Sequence, residues 1–152
     1  MTAGVVLTVG NSLMGDDAAG PLLASLLAQA PARDWQVVNG GSMPENEVQH
    51  VRSLRPQRVL IVDAAEMDLR PGEIRIVDED IIAEQLFLTT HTLPLTFLLK
   101  LLRDFAPVVQ LLVIQPALVA FSYPMSPDVR RAVELIHKNL AEGVDLDTYT
   151  RL

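Results

Sequence analysis

The residues best able to do chemistry gather in a few short stretches. Asp16 and Asp17 stand side by side in V-G-N-S-L-M-G-D-D-A-A-G-P, residues 9 to 21. Asp63 directly follows the apolar run RVLIV, and His91 sits in TTHT, shortly before Pro94. Two carboxylates and one imidazole make a three-ligand set for a divalent cation such as zinc or nickel, leaving a coordination position for water or substrate. Unlike ligands drawn from separate loops suit a catalytic or transient site better than a closed structural one.

Each of these residues also has a purely structural use. Asp16 can cap the helix that follows, which leaves Asp17 in the first helical turn, where the dipole favours an acid. An aspartate after a strand often only forms a turn, and a lone histidine is often a hydrogen-bonded structural residue. His50 and His137 lie among polar neighbours on helical segments, as surface residues do.

Other chemistries lack their signatures. A phosphoacceptor domain wants its acidic pair at the strand end and a lysine after the fifth strand. Here Asp16 comes well after Gly10, and the corresponding strand ends in Ile114-Gln115-Pro116. Neither G-x-G-x-x-G nor G-x-x-x-x-G-K-[ST] occurs between Val9 and Gly20, and the chain has no G-x-S-x-G elbow and no H-E-x-x-H.

The elements that must position these residues follow from periodicity. Val5–Val9, Arg58–Val62 and Val108–Ile114 are continuous apolar runs, the pattern of strands buried on both faces. Trp35–Val38 is a further strand, and Glu73–Val77 alternates as a half-exposed edge strand does. Helices are predicted from the first aspartates to about Ala30, with Leu22, Leu23, Leu26 and Leu27 as the stripe, and from about Pro44 to Arg55. Two more span Leu95–Phe105, with Pro94 in the first turn, and Pro127–Leu140.

Alternating strands and helices imply an α/β three-layer sandwich: a twisted, mostly parallel sheet of about five strands with helices on both faces. Residues 1–142 are expected to form a single α/β domain and 143–152 a loosely ordered tail. In such sheets ligands bind at the carboxyl ends of the strands, beside a reversal of strand order. If the first and third strands are neighbours, Asp17 and Asp63 come together, and His91 can overhang the same edge.

Composition narrows the class. The 152 residues include no cysteine, which removes thiolate nucleophiles, disulfides and Cys-rich zinc sites. A formal net charge of -7 argues against nucleic acid as a partner. No apolar run reaches the ~18 residues of a membrane helix, and Ala3–Val9 lacks the basic flank of a signal peptide. A cytoplasmic enzyme or binding domain, not inserted in a membrane, is the expectation.

With the segments VGNSLMGDDAAGPLLA, GGSMPEN, LRPQRVLIVDAAEM, PGEIRIVDEDIIAE, TTHTLPL and IQPALVAFSYPMS in this order, the chain resembles the nickel–iron hydrogenase maturation endopeptidases. Within them it resembles the branch serving hydrogenase 3. The resemblance runs from about Val5 to Leu140. It implies that Asp17, Asp63 and His91 are the catalytic and metal-binding residues. It also implies a single cut that removes a C-terminal extension from the hydrogenase large-subunit precursor after nickel insertion. Nickel would be held in that partner and bridged to the protease, while zinc or another divalent cation can occupy the isolated protein. One departure is Asn39, where the family commonly has an aspartate before the double glycine; an asparagine carries no charge and cannot act as a base, but it can accept a hydrogen bond. The competing expectation is a non-catalytic, metal-dependent module or chaperone that recognises the loaded precursor.

Overall fold

The computed structural model describes residues 2–79 and 95–152. Strand β1 (Thr2–Thr8) leads through a 3₁₀ turn (Gly15–Ala18) into helix α1 (Ala19–Gln29). Strand β2 (Trp35–Asn39), a 3₁₀ turn (Pro44–Glu47) and helix α2 (Val48–Ser53) follow, then strands β3 (Pro56–Ala64) and β4 (Ile74–Val77). Helix α3 (Leu95–Arg103), strand β5 (Val108–Ile114), helix α4 (Pro127–Ala141) and a last 3₁₀ turn (Leu146–Thr148) complete the described elements.

The five strands lie in the order β2-β1-β3-β5-β4. All neighbouring pairs are parallel except β4 with β5, which is antiparallel. The apolar runs are continuous because alternate side chains enter two separate cores. Val5, Leu7, Val9, Val59 and Ile61 face α2 and α3, whereas Val6, Leu60, Val62, Leu112 and Ile114 face α1 and α4. Helix α4 seats Val129, Val133, Ile136 and Leu140 at helical spacing, each at most 2 % exposed. Burial of each is worth about 1.5–3 kcal/mol against an exposed state.

The expected α/β architecture is therefore present, with the half-exposed strand 73–77 found as the antiparallel edge β4. Two expectations change in detail. The helix expected over 44–55 starts as a 3₁₀ turn, and only Val48–Ser53 is α-helical. The tail 143–152, expected to be loose, docks instead. Leu146 is buried at 3 % exposure, Ile76 donates its N–H to Thr150 O at 2.9 Å, and Leu152 N–H reaches Ile76 O at 3.0 Å. Arg151 pairs with Asp78 at 2.7 Å. The reason is the open edge of β4: its free backbone groups demand partners, and the polar tail supplies them. The placement of Pro94 in the first turn of α3 concerns a residue outside those described.

Candidate active site

The ends of β1, β2 and β3 are drawn together by backbone bonds. Val9 N–H donates to Val62 O at 2.9 Å, Gly40 N–H to Thr8 O at 2.7 Å and Gly10 N–H to Gly41 O at 2.9 Å. The 3₁₀ turn carrying the two aspartates presses onto this junction. A Cβ on Gly10, whose φ is +145°, would stand 2.1 Å from Asp17 O, and one on Gly20 would stand 2.2 Å from Val9 O. Only glycine permits so close an approach of two backbones.

Asp17 is 1 % exposed. Its Oδ2 accepts the Asn11 N–H at 2.8 Å, and Asn11 Oδ1 in turn accepts the Leu13 N–H at 2.9 Å, a tight Asx turn. Asp63, fully buried, lies one residue beyond Val62 on the neighbouring strand, and its Oδ1 accepts the Ala64 N–H at 2.8 Å. The strand order thus places the turn that carries Asp17 beside β3, where Asp63 continues the alternation of Val59 and Ile61 on the face covered by α2 and α3. His91 lies outside the described residues, so the three-ligand set is represented by its two carboxylates. Among the described residues no group of three or more His, Cys, Asp or Glu side chains is suited to a metal ion.

Asp16 does not cap the helix. The 3₁₀ turn begins after Met14 and has no side-chain cap. The Asp16 carboxylate, fully buried, instead accepts the N–H groups of Ala117 at 2.8 Å, Leu118 at 3.1 Å and Ser126 at 2.6 Å, with the Ser126 hydroxyl at 3.0 Å. A capping rule sees only the next turn of chain, whereas these donors lie more than 100 residues away. Ser126 immediately precedes α4, so the carboxylate also meets the positive end of that helix.

Gln115 was legible only as a strand stop. It is 3 % exposed and organises the loop after Asp63. Its Oε1 accepts the N–H groups of Met67 at 2.8 Å and Leu69 at 3.3 Å, while its Nε2 donates to Pro116 O at 3.0 Å and to the Glu66 carboxylate. The available signal was an amide directly after an apolar strand, a residue that must find partners once buried. Glu45, in the turn after β2, has its Oε2 buried with no hydrogen-bond partner among the described residues. Asn39 accepts the Gly41 N–H at 3.1 Å and the Thr8 hydroxyl at 3.4 Å, so it braces the double-glycine loop.

The other histidines are peripheral. His50 is exposed, and His137 lies 2.8 Å from Ala30 O at the end of α1. On the β5–α4 connection, Phe121 is 67 % and Tyr123 58 % exposed, whereas Met125 packs partly against the core between α1, α4 and the sheet. Leu118 and Leu13 are exposed beside them.

A family model described as hydrogenase maturation protease matches residues 21–142. The chain belongs to the hydrogenase maturation protease family. It is therefore a hydrolase, an endopeptidase, and a module that only binds is set aside. The Escherichia coli K12 hydrogenase 3 maturation protease is 52% identical over 136 residues, 90% of this chain and 87% of that protein. The solution structure of an Escherichia coli endopeptidase shares 48% identity at a TM-score of 0.92, over 99% of this chain and 96% of that one. A nickel–iron hydrogenase maturation protease from Thermococcus kodakarensis matches at 28% identity and a TM-score of 0.80, over 93% of this chain and 91% of that one. Asp63 and His91 fall within the stretch matched by the maturation protease family model, and Asp17 shortly precedes it. No helix among the described residues is long and apolar enough to cross a membrane.

Proposed function

We propose that this maturation protease removes the C-terminal extension of a nickel–iron hydrogenase large-subunit precursor in a single cut, once nickel has been inserted. The observation that carries the reading is the pair of buried carboxylates: Asp17 in the turn after β1, and Asp63 near the end of the neighbouring β3. Two acids withdrawn from water at one edge favour a cation between them. His91 supplies the third ligand in this proposal. Nickel enters as part of the substrate, held by the precursor's thiolates and contacted by the harder oxygen and nitrogen ligands of the protease. The division fits a chain without cysteine. Zinc or another divalent cation occupies the same residues in the isolated protein. Selection is then by partner and metal state, and the exposed Phe121, Tyr123 and Leu118 offer the partner an apolar surface near the site.

The test incubates the purified protein with nickel-loaded precursor, with and without a chelator, and follows the intact mass of the precursor. A mass decrease that the chelator prevents is expected. Cleavage that proceeds equally under chelation would remove the role of the metal.

A further inference from the structure

We propose that Asp16 is a positioning residue. It locks the exposed apolar segment 117–125 to the loop that carries Asp17, so that a precursor held on that segment presents its scissile bond to the site. The inference deepens the proposed function and rests on the precursor being the substrate.

The clamp is built from both sides. The buried Asp16 carboxylate accepts from Ala117, Leu118 and both donors of Ser126, as given above, and its own N–H donates to Leu118 O at 2.9 Å. Farther out, the Ser122 N–H donates to Leu13 O at 2.9 Å. Gly15, at φ +58°, brings the loop so close that a Cβ would stand 2.7 Å from Leu118 O. Charge-assisted bonds to a carboxylate are short, directional and strong, and a buried carboxylate that lost them would be left unmet. These contacts leave the two loops little freedom to slide past one another.

What the clamp holds is a surface. Leu118, Phe121 and Tyr123 are 48 %, 67 % and 58 % exposed, and Leu13, joined to Ser122, is 61 % exposed. Ser122, between the two aromatic residues, adopts a left-handed backbone at φ +64°. A residue other than glycine is uncommon in that region. Asp16 and Asp17 are consecutive in one 3₁₀ turn but are held on different partners: Asp16 by the β5–α4 connection and Asp17 by Asn11 at the end of β1. Of the side chains in this loop, Asp16 makes the bonds that tie the apolar segment to the turn of Asp17, beside the backbone bond from Ser122 to Leu13.

The decisive variant is Asp16→Asn in the full chain, assayed on nickel-loaded precursor at a temperature where circular dichroism shows it folded. The amide would place donors against the backbone N–H groups of Ala117, Leu118 and Ser126. With the docking side chains intact and the scissile bond displaced, kcat should fall by about 10²-fold, the scale of a misplacement near 1 Å, while KM stays nearly constant. Tyr123→Ser should do the reverse, raising KM with kcat preserved. Cation affinity should be unaltered in both. Should Asp16→Asn fail to fold, Ser126→Ala removes only the hydroxyl, and a fall in kcat of about threefold at constant KM is expected. The proposal is overturned if the folded variant keeps its kcat, if its loss matches the unfolded fraction, or if it loses cation binding instead. Unaltered protein that cuts alongside an equally fast variant refutes the clamp alone. Unaltered protein that does not cut removes the substrate reading and the clamp with it.

Discussion

The two ends of the sheet are built on different terms. Every buried polar or charged side chain among the described residues, namely Thr8, Asp16, Asp17, Asp63 and Gln115, lies at or just beyond the carboxyl end of a strand. The amino end carries its charges outside. Arg52 makes a 3.6 Å pair with Asp104 in which both side chains are mostly exposed, and Arg58 lies over the Trp35 ring at 4.2 Å. A cavity of about 400 Å³ lined by Arg52, Arg55, Pro56, Gln57, Phe105 and Pro107 opens there, yet it has no carboxylate or histidine in its lining. Buried polar groups cost stability unless each is met by a partner, whereas surface charges cost almost nothing. Among the described residues that cost falls at one end only, and that is the end where substitution should affect chemistry.

Substitutions can break that contrast in order of size. Asp17→Asn and His91→Ala should lower precursor processing by well over 100-fold while circular dichroism remains native, since loss of mere supporting partners at metal sites already costs about 10–100-fold. Either variant processing nickel-loaded precursor at the normal rate would refute the ligand assignment. Gly10→Ala should come next: its Cβ has no room against the backbone of Asp17, and both stability, by urea titration, and processing should fall. A fall in stability alone would separate the glycine from the site. Gln115→Leu leaves the Met67 and Leu69 N–H groups without their acceptor, at about 1–3 kcal/mol for each unmet donor. A urea midpoint equal to that of the unaltered chain would show that the 65–69 loop finds other partners. Smallest of all is Arg52→Ala at the amino end, expected to change stability by less than about 1 kcal/mol and processing not at all. A large loss of processing there would mean that the two ends are not distinct.

The layered fold was legible because its cause is local. Runs such as RVLIV and VVQLLVI are continuous since helices cover both faces of the sheet, and Val129, Val133, Ile136 and Leu140 repeat at helical spacing. The adjacency of β1 and β3, which puts the turn of Asp17 against the strand of Asp63, was legible through strand order, a rule about whole α/β sheets. What escaped depends on contacts distant in sequence. Asp16 looks like a cap beside its own helix, and only the folded β5–α4 connection gives it other work. Gln115 looks like a strand stop until the loop after Asp63 folds over it. The polar tail gains its order from the free edge of β4, which no property of residues 143–152 announces.

In the proposed function, the carboxyl end of the sheet reads nickel in the substrate. The most direct measurement incubates nickel-loaded and nickel-free precursor with the unaltered chain side by side and compares intact masses over time. Loss of the C-terminal extension from the loaded precursor alone is expected, with no change in the nickel-free one. Equal cleavage of both would contradict it.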